Sequence, residues 1–227
     1  MTCCLTGGHG YFRKKGNNKM AIRNIIFDLG GVFLDIHYNR TRDAFTALGV
    51  ADFDAHFQQT YSNPLFSLLE KGELAPAAFY EAFRKETQLD VTDAQIAHAW
   101  NAMLGDFRPG SVAVLPKLKP QYKLYLLSNT NQIHHEAFVQ KFEKEFGGAN
   151  FDALFDTAYY SHLLGERKPG VECYEKVMQL HQMDPQETLF IDDTYKNIEG
   201  ARQAGLQTLW LQGPELLEEA LPKLLGQ

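Results

Sequence analysis

The architecture of this chain is most legible in Ile22-Arg23-Asn24-Ile25-Ile26-Phe27-Asp28-Leu29-Gly30-Gly31. A short run rich in β-branched residues stops at an aspartate, and two glycines follow. Such a run fits a strand buried on both faces, as in the middle of a parallel sheet. Three more runs share this form downstream. Residues 124–127 end at Ser128-Asn129, 189–191 at Asp192-Asp193, and 208–211 near Gly213-Pro214. Helical patterns lie between them. One starts at Pro109-Gly110 with Val112, Leu115 and Leu118; others cover 133–146, 171–180 and 195–204, the last stopped by Gly205. Strand alternating with helix predicts an α/β fold: a doubly wound, mostly parallel sheet covered on both faces.

Residues 38–107 break the alternation. They contain no convincing strand and read as helices over 40–48, 64–70, 75–87 and 92–104, with breaks at Gly72, Pro76 and Leu89-Asp90-Val91-Thr92. A single crossover needs about a dozen residues, so this segment is read as an inserted helical subdomain. The core is then 20–37 and 108–227. The aromatics of the insert, such as Phe79 and Phe83, fall at helical spacing and read as packing. Residues 1–19 are rich in Gly and Asn, lack periodicity and lack the apolar stretch of a secretory signal. They read as a disordered or artefactual extension ahead of Met20.

Charge and cysteine content narrow the function. The chain has 22 basic and 28 acidic residues, a net charge of −6. Arg13, Lys14, Lys15, Lys19 and Arg23 gather at the start, leaving 17 basic against 28 acidic residues beyond it. That balance argues against a nucleic-acid surface on the folded part. No apolar run approaches the ~18 residues of a membrane helix. Three cysteines, two of them adjacent, make no disulfide framework and no zinc spacing, so a cytoplasmic, reducing compartment is expected.

Ligands of open parallel sheets bind at the carboxyl ends of strands. Here those ends hold Asp28, Ser128-Asn129 and Asp192-Asp193, and Lys168 lies in a loop able to reach the same edge. Carboxylates from two strand ends suit Mg²⁺, which takes oxygen ligands and leaves positions open for phosphate. A carboxylate beside that ion can attack phosphorus, and a lysine and a hydroxyl can bind the remaining phosphate oxygens. Taken singly, each of these residues also suits a turn or a cap. Their joint occurrence in this order points to a site.

At these residues the chain resembles the haloacid dehalogenase-like (HAD) hydrolases, in the subclass with a helical cap. The motifs are Ile25-Ile26-Phe27-Asp28-Leu29-Gly30-Gly31-Val32, then Leu126-Leu127-Ser128-Asn129-Thr130-Asn131, then Arg167-Lys168-Pro169, then Phe190-Ile191-Asp192-Asp193-Thr194-Tyr195-Lys196-Asn197. The resemblance covers about 22–213 and makes 38–107 the cap. It implies Asp28 as nucleophile and Mg²⁺ ligand, with the Gly30 carbonyl and Asp193 as further ligands. Ser128 and Asn129 would bind phosphate, and Lys168 would steady both nucleophile and phosphate. Asp192 and Asn197 would support them. The implied activity is Mg²⁺-dependent hydrolysis of a small phosphorylated metabolite, with a sugar phosphate as one candidate, through an aspartyl phosphate. Neither nucleic acid nor membrane is an expected partner.

One departure matters. Phosphatases of this superfamily usually carry a second aspartate, the general acid/base, two residues after the nucleophile, and this chain has Gly30 there. The motifs look closest to the α-D-glucose-1-phosphate phosphatase branch, which shares that glycine. Asp35 or His37, just downstream, are candidates for the missing acid, with water as the third. A catalytically silent binding protein on the same fold is the alternative. A metal-free 2-haloacid dehalogenase is the other, and the adjacent acids Asp192-Asp193 argue against it. His134-His135 reads as a helix-surface pair, with His134 at the site entrance as the sharper reading.

Overall fold

The computed structural model describes residues 22–51, 53, 64–213 and 215–226. The expectation for 1–19 lies outside these residues. Five strands form one parallel sheet: β1 (Asn24–Phe27), β4 (Lys123–Ser128), β5 (Thr157–Tyr160), β6 (Thr188–Asp192) and β7 (Gln207–Trp210), in the order β5-β4-β1-β6-β7. The chain runs outward from β1 to β5, then returns to the other side of β1 for β6 and β7. The order therefore reverses at β1, which opens a crevice at its carboxyl end.

Alternation of side chains across the sheet builds two cores. Ile25, Phe27, Leu124, Leu126, Leu189 and Ile191 face one side. They meet α5 (Pro109–Leu118), α6 (Gln132–Glu145) and α10 (Leu217–Leu225) through Leu115, Phe138, Phe142, Leu217 and Leu221. Ile26, Tyr125, Leu127 and Phe190 face the other side. They meet α8 (Val171–His181) and α9 (Tyr195–Gln203) through Tyr174, Val177 and Ile198. This two-sided burial is why the strands read as short apolar runs.

The insert holds α1 (Tyr38–Ala47), α2 (Pro64–Glu70), α3 (Pro76–Thr87) and α4 (Asp93–Asn101). Pro76 opens α3, and a Thr92/Gln95 capping box opens α4. A separate apolar cluster joins these helices through Phe45, Phe66, Leu69, Phe79, Phe83, Ile96 and Trp100, with Ile133 of α6 contributed from below. Phe79 and Phe83 are fully buried, as their spacing predicts.

The structure also holds strands that the sequence pattern does not predict. Leu104–Phe107 is a strand, β3, where the pattern predicts helix to 104; it pairs antiparallel with β2 (Leu34–Ile36). Its partner lies some 70 residues earlier, and Leu-Gly-Asp-Phe has no strand pattern of its own. Gly105 is needed there, since a Cβ would lie 2.8 Å from the Asp35 carbonyl and from His37 Nε2. The edge strand β5 also escaped the reading, because only Tyr160 in it is buried. Among the described residues, no helix is long and apolar enough to cross a membrane.

Candidate active site

Asp28 follows the last residue of β1 and donates its backbone N–H to the Ile191 carbonyl at 2.9 Å. That bond sets its carboxylate beside the end of β6. Lys168 arrives from the loop before α8, with its side chain buried. Its Nζ lies 2.7 Å from Asp28 Oδ1 and 2.7 Å from Asp192 Oδ2. Asn129, at the end of β4, latches that loop. Its amide donates to the Lys168 carbonyl at 2.8 Å and accepts from the Lys168 N–H at 2.9 Å. The amide is thereby committed to Lys168, and only the Asn129 backbone remains for a phosphate. Ser128 is buried at the same strand end.

Asp192 is fully buried and well supplied with donors. Besides Lys168, it accepts from the Thr194 N–H at 2.7 Å and from the Asn197 amide at 3.2 and 3.0 Å. Asn197 therefore holds Asp192 rather than Asp193. Asp193 is exposed at the mouth of the crevice, and the Trp210 indole fixes its backbone by donating to its carbonyl at 2.9 Å. Gly31 packs against its carboxylate. Gly31 has φ +69°, and a Cβ there would fall 2.0 Å from Asp193 Oδ2. Glycine is thus required twice over, by conformation and by space.

Carboxylate oxygens of Asp28, Asp192 and Asp193 lie within 4.8 Å of one another. Burial, then repulsion from Asp192 and Asp193, raises the Asp28 carboxyl well above the usual carboxylate range, with Lys168 opposing. Asp193 is raised too, first by desolvation and then by Asp192. Burial would lower the Lys168 ammonium, but Asp192 and Asp28 outweigh it and hold the group charged. When ionised, three carboxylates against one ammonium leave two negative charges uncompensated. A divalent cation with a preference for oxygen ligands matches that deficit. The donor set, all carboxylate, fits Mg²⁺.

Asp35 and His37 are not gathered with this set. Ile36 is the β2 residue turned toward the site: its Cγ1 lies 3.1 Å from where a Cβ on Gly30 would be. Asp35, next along the strand, is paired with Arg108 at 2.7 Å. His37 lies against Gly105 of β3. The place of the missing acid is thus walled by an aliphatic side chain. His134 is not on the surface. It is buried, stacks on Trp100 with ring centroids 4.9 Å apart, and bonds Asn101 Oδ1 through Nδ1 at 2.8 Å. The sequence reading missed Arg108, Trp210 and Tyr38. The Tyr38 phenol, in the first turn of α1, is held above its ordinary pKa by desolvation and then by the fields of Asp193 and Asp28. Nothing in their local sequence marks these residues; only tertiary proximity does.

A family model of haloacid dehalogenase-like hydrolases matches residues 22–205. The chain belongs to this family. This HAD-like hydrolase is 31% identical over 188 residues to a D-ribitol-5-phosphate phosphatase of Bacteroides thetaiotaomicron, covering 82% of this chain and 90% of that one. It is 28% identical over 189 residues to a sesquiterpene phosphatase of Aspergillus oryzae, covering 82% and 88%. Among solved structures it is similar to a HAD family enzyme of Bacteroides thetaiotaomicron, in complex with magnesium and inorganic phosphate. That match has 32% identity and a TM-score of 0.81, covering 88% of this chain and 98% of the other.

Proposed function

We propose that this HAD-like hydrolase is a Mg²⁺-dependent phosphomonoesterase acting on a small phosphorylated metabolite. The observation that carries the reading is the buried Asp28 carboxylate at the end of β1, 2.7 Å from Lys168 and grouped with Asp192 and Asp193. The two phosphatase relatives differ in the alcohol and share the phosphate, which supports ester hydrolysis as the common chemistry. The greater similarity to the ribitol phosphate enzyme favours a polyol or sugar phosphate here.

In this reading Asp28, Asp193 and the Gly30 carbonyl would hold Mg²⁺, which when bound neutralises phosphoryl oxygens. Asp192 is already saturated with donors and supports from behind. Lys168 and the Ser128 hydroxyl bind the remaining phosphate oxygens. An Asp28 oxygen attacks phosphorus, the ester P–O bond breaks, and the alcohol leaves with a proton taken from water. A second water then attacks the aspartyl phosphate, releasing phosphate and restoring Asp28. Residues 38–107 act as the cap over the crevice. Three cysteines without a disulfide framework suit work in the cytoplasm.

The test measures phosphate release from a panel of polyol and sugar phosphates, with Mg²⁺, with EDTA, and with Asp28→Asn. Release should require Mg²⁺ and fall below detection in the variant. Metal-independent release, or full activity in Asp28→Asn, would overturn the reading. Chloride release from 2-chloro acids without metal would point to the dehalogenase instead.

A further inference from the structure

The chain passes between core and cap twice, outward through β2 and back through β3. Leu34 pairs with Phe107 in this antiparallel ribbon; Asp35 and Arg108 each follow one member of that pair, and their side chains meet across it. Among the described residues Arg108 donates three hydrogen bonds. Its N–H donates to the Phe33 carbonyl at 2.8 Å. Its Nε donates to Asp35 Oδ1 at 2.7 Å. Its Nη1 donates to the Gly31 carbonyl. Gly31 is itself the residue that packs against Asp193, and its N–H closes the turn onto the Leu34 carbonyl at 2.8 Å. The turn after the nucleophile is therefore gripped between the guanidinium on one side and the Asp193 carboxylate on the other.

We propose that Arg108 and Asp35 are positioning residues for the metal. Arg108 sets the Gly30-Gly31 turn, and Asp35 both aims the guanidinium and cancels its charge. The inference rests on the Mg²⁺ reading above. Two physical requirements meet in this pair. A planar guanidinium can serve a carboxylate and a carbonyl at once from a fixed fork, which a lysine, as a single point donor, cannot. A cation so near a metal site would also repel the ion, and the Asp35 carboxylate offsets that repulsion. The same pair ties both cap linkers to the turn, so the seat of the metal and the root of the cap are set together.

The experiment is calorimetric titration of Mg²⁺ into the whole chain, without substrate, for wild type, Arg108→Met, Arg108→Lys and Asp35→Asn. Metal-free thermal midpoints are measured alongside. Partners that orient metal ligands typically contribute 10–100-fold to affinity. Arg108→Met and Asp35→Asn should each weaken Mg²⁺ binding about tenfold, and Arg108→Lys should fall between them and wild type. Metal-free midpoints should stay within about 4 °C of wild type. Wild-type affinity in Arg108→Met and Asp35→Asn overturns the inference alone. Affinity that drops only with a collapse of the metal-free midpoint also overturns it, since the pair would then serve folding. A wild type that binds no Mg²⁺ removes the metal reading and this inference with it.

Discussion

Asp28, Lys168 and Asp192 form a chain of charge with the Lys168 ammonium at its centre. Lys168 is buried at equal distance from both carboxylates, and removing a partner from such a buried pair usually costs several kcal/mol. The neighbouring Gly31 is constrained differently. Its left-handed φ of +69° and its contact with Asp193 leave no room for a methyl group. Gly31→Ala should lose about 1–2 kcal/mol of stability from backbone strain, with a further loss as Asp193 is displaced. Denaturant titration without metal measures it. Unchanged stability would mean that the turn relaxes freely. Of these residues, Asp28, Lys168, Asp192 and Asp193 were legible in the sequence because each ends a strand or sits in a short motif. Arg108 was not, because its partners Gly31 and Asp35 lie over seventy positions away.

At the scale of elements, α2 rests on the loop that carries Lys168. Glu70, the last residue of α2, pairs with Arg167 at 3.0 Å. Gly72 lies so close to the carbonyl of His162, in α7 (Ser161–Leu164), that a Cβ would fall 2.0 Å from it. Burial raises the Glu70 carboxyl, and Arg167 opposes that rise. Arg167→Met should cost about 1–3 kcal/mol, because Glu70 is left desolvated without its partner. Glu70→Gln in the same chain should recover part of the loss. A denaturant double-mutant cycle reads this coupling, and simple additivity would show that the pair carries no interaction energy. The helices of the insert were legible from their periodicity. The ribbon of β2 and β3 was not, since antiparallel pairing of two short segments depends on a partner remote in sequence.

Across the whole molecule, α6 carries both the core and the insert. Phe138 and Phe142 pack below, Ile133 enters the cluster above, and His134 stacks on Trp100. Burial pushes the His134 pKa down to about 3, so the imidazole is neutral in the folded state. The unfolded chain binds that proton near the ordinary value of about 6.5. The contribution of His134 is therefore full above pH 6.5 and is lost as pH falls toward about 3. His134→Gln should be less stable at pH 7 and should lose less stability between pH 6.5 and 4.5, by about 1.4 kcal/mol for each pH unit. Thermal midpoints of both proteins across that range would decide it, and parallel profiles would count against a buried neutral histidine. Local sequence alone carries the alternation of strand and helix, the helical run after the first strand and the acidic strand ends. Those follow from local patterns of burial and from chemistry at fixed spacing. Packing in three dimensions is what turns Asp35 to Arg108, fills the space beside Gly30 with Ile36, sets Asn197 on Asp192 and buries His134. Each depends on segments distant in sequence meeting in one packed volume, and no local pattern encodes which side chain arrives there.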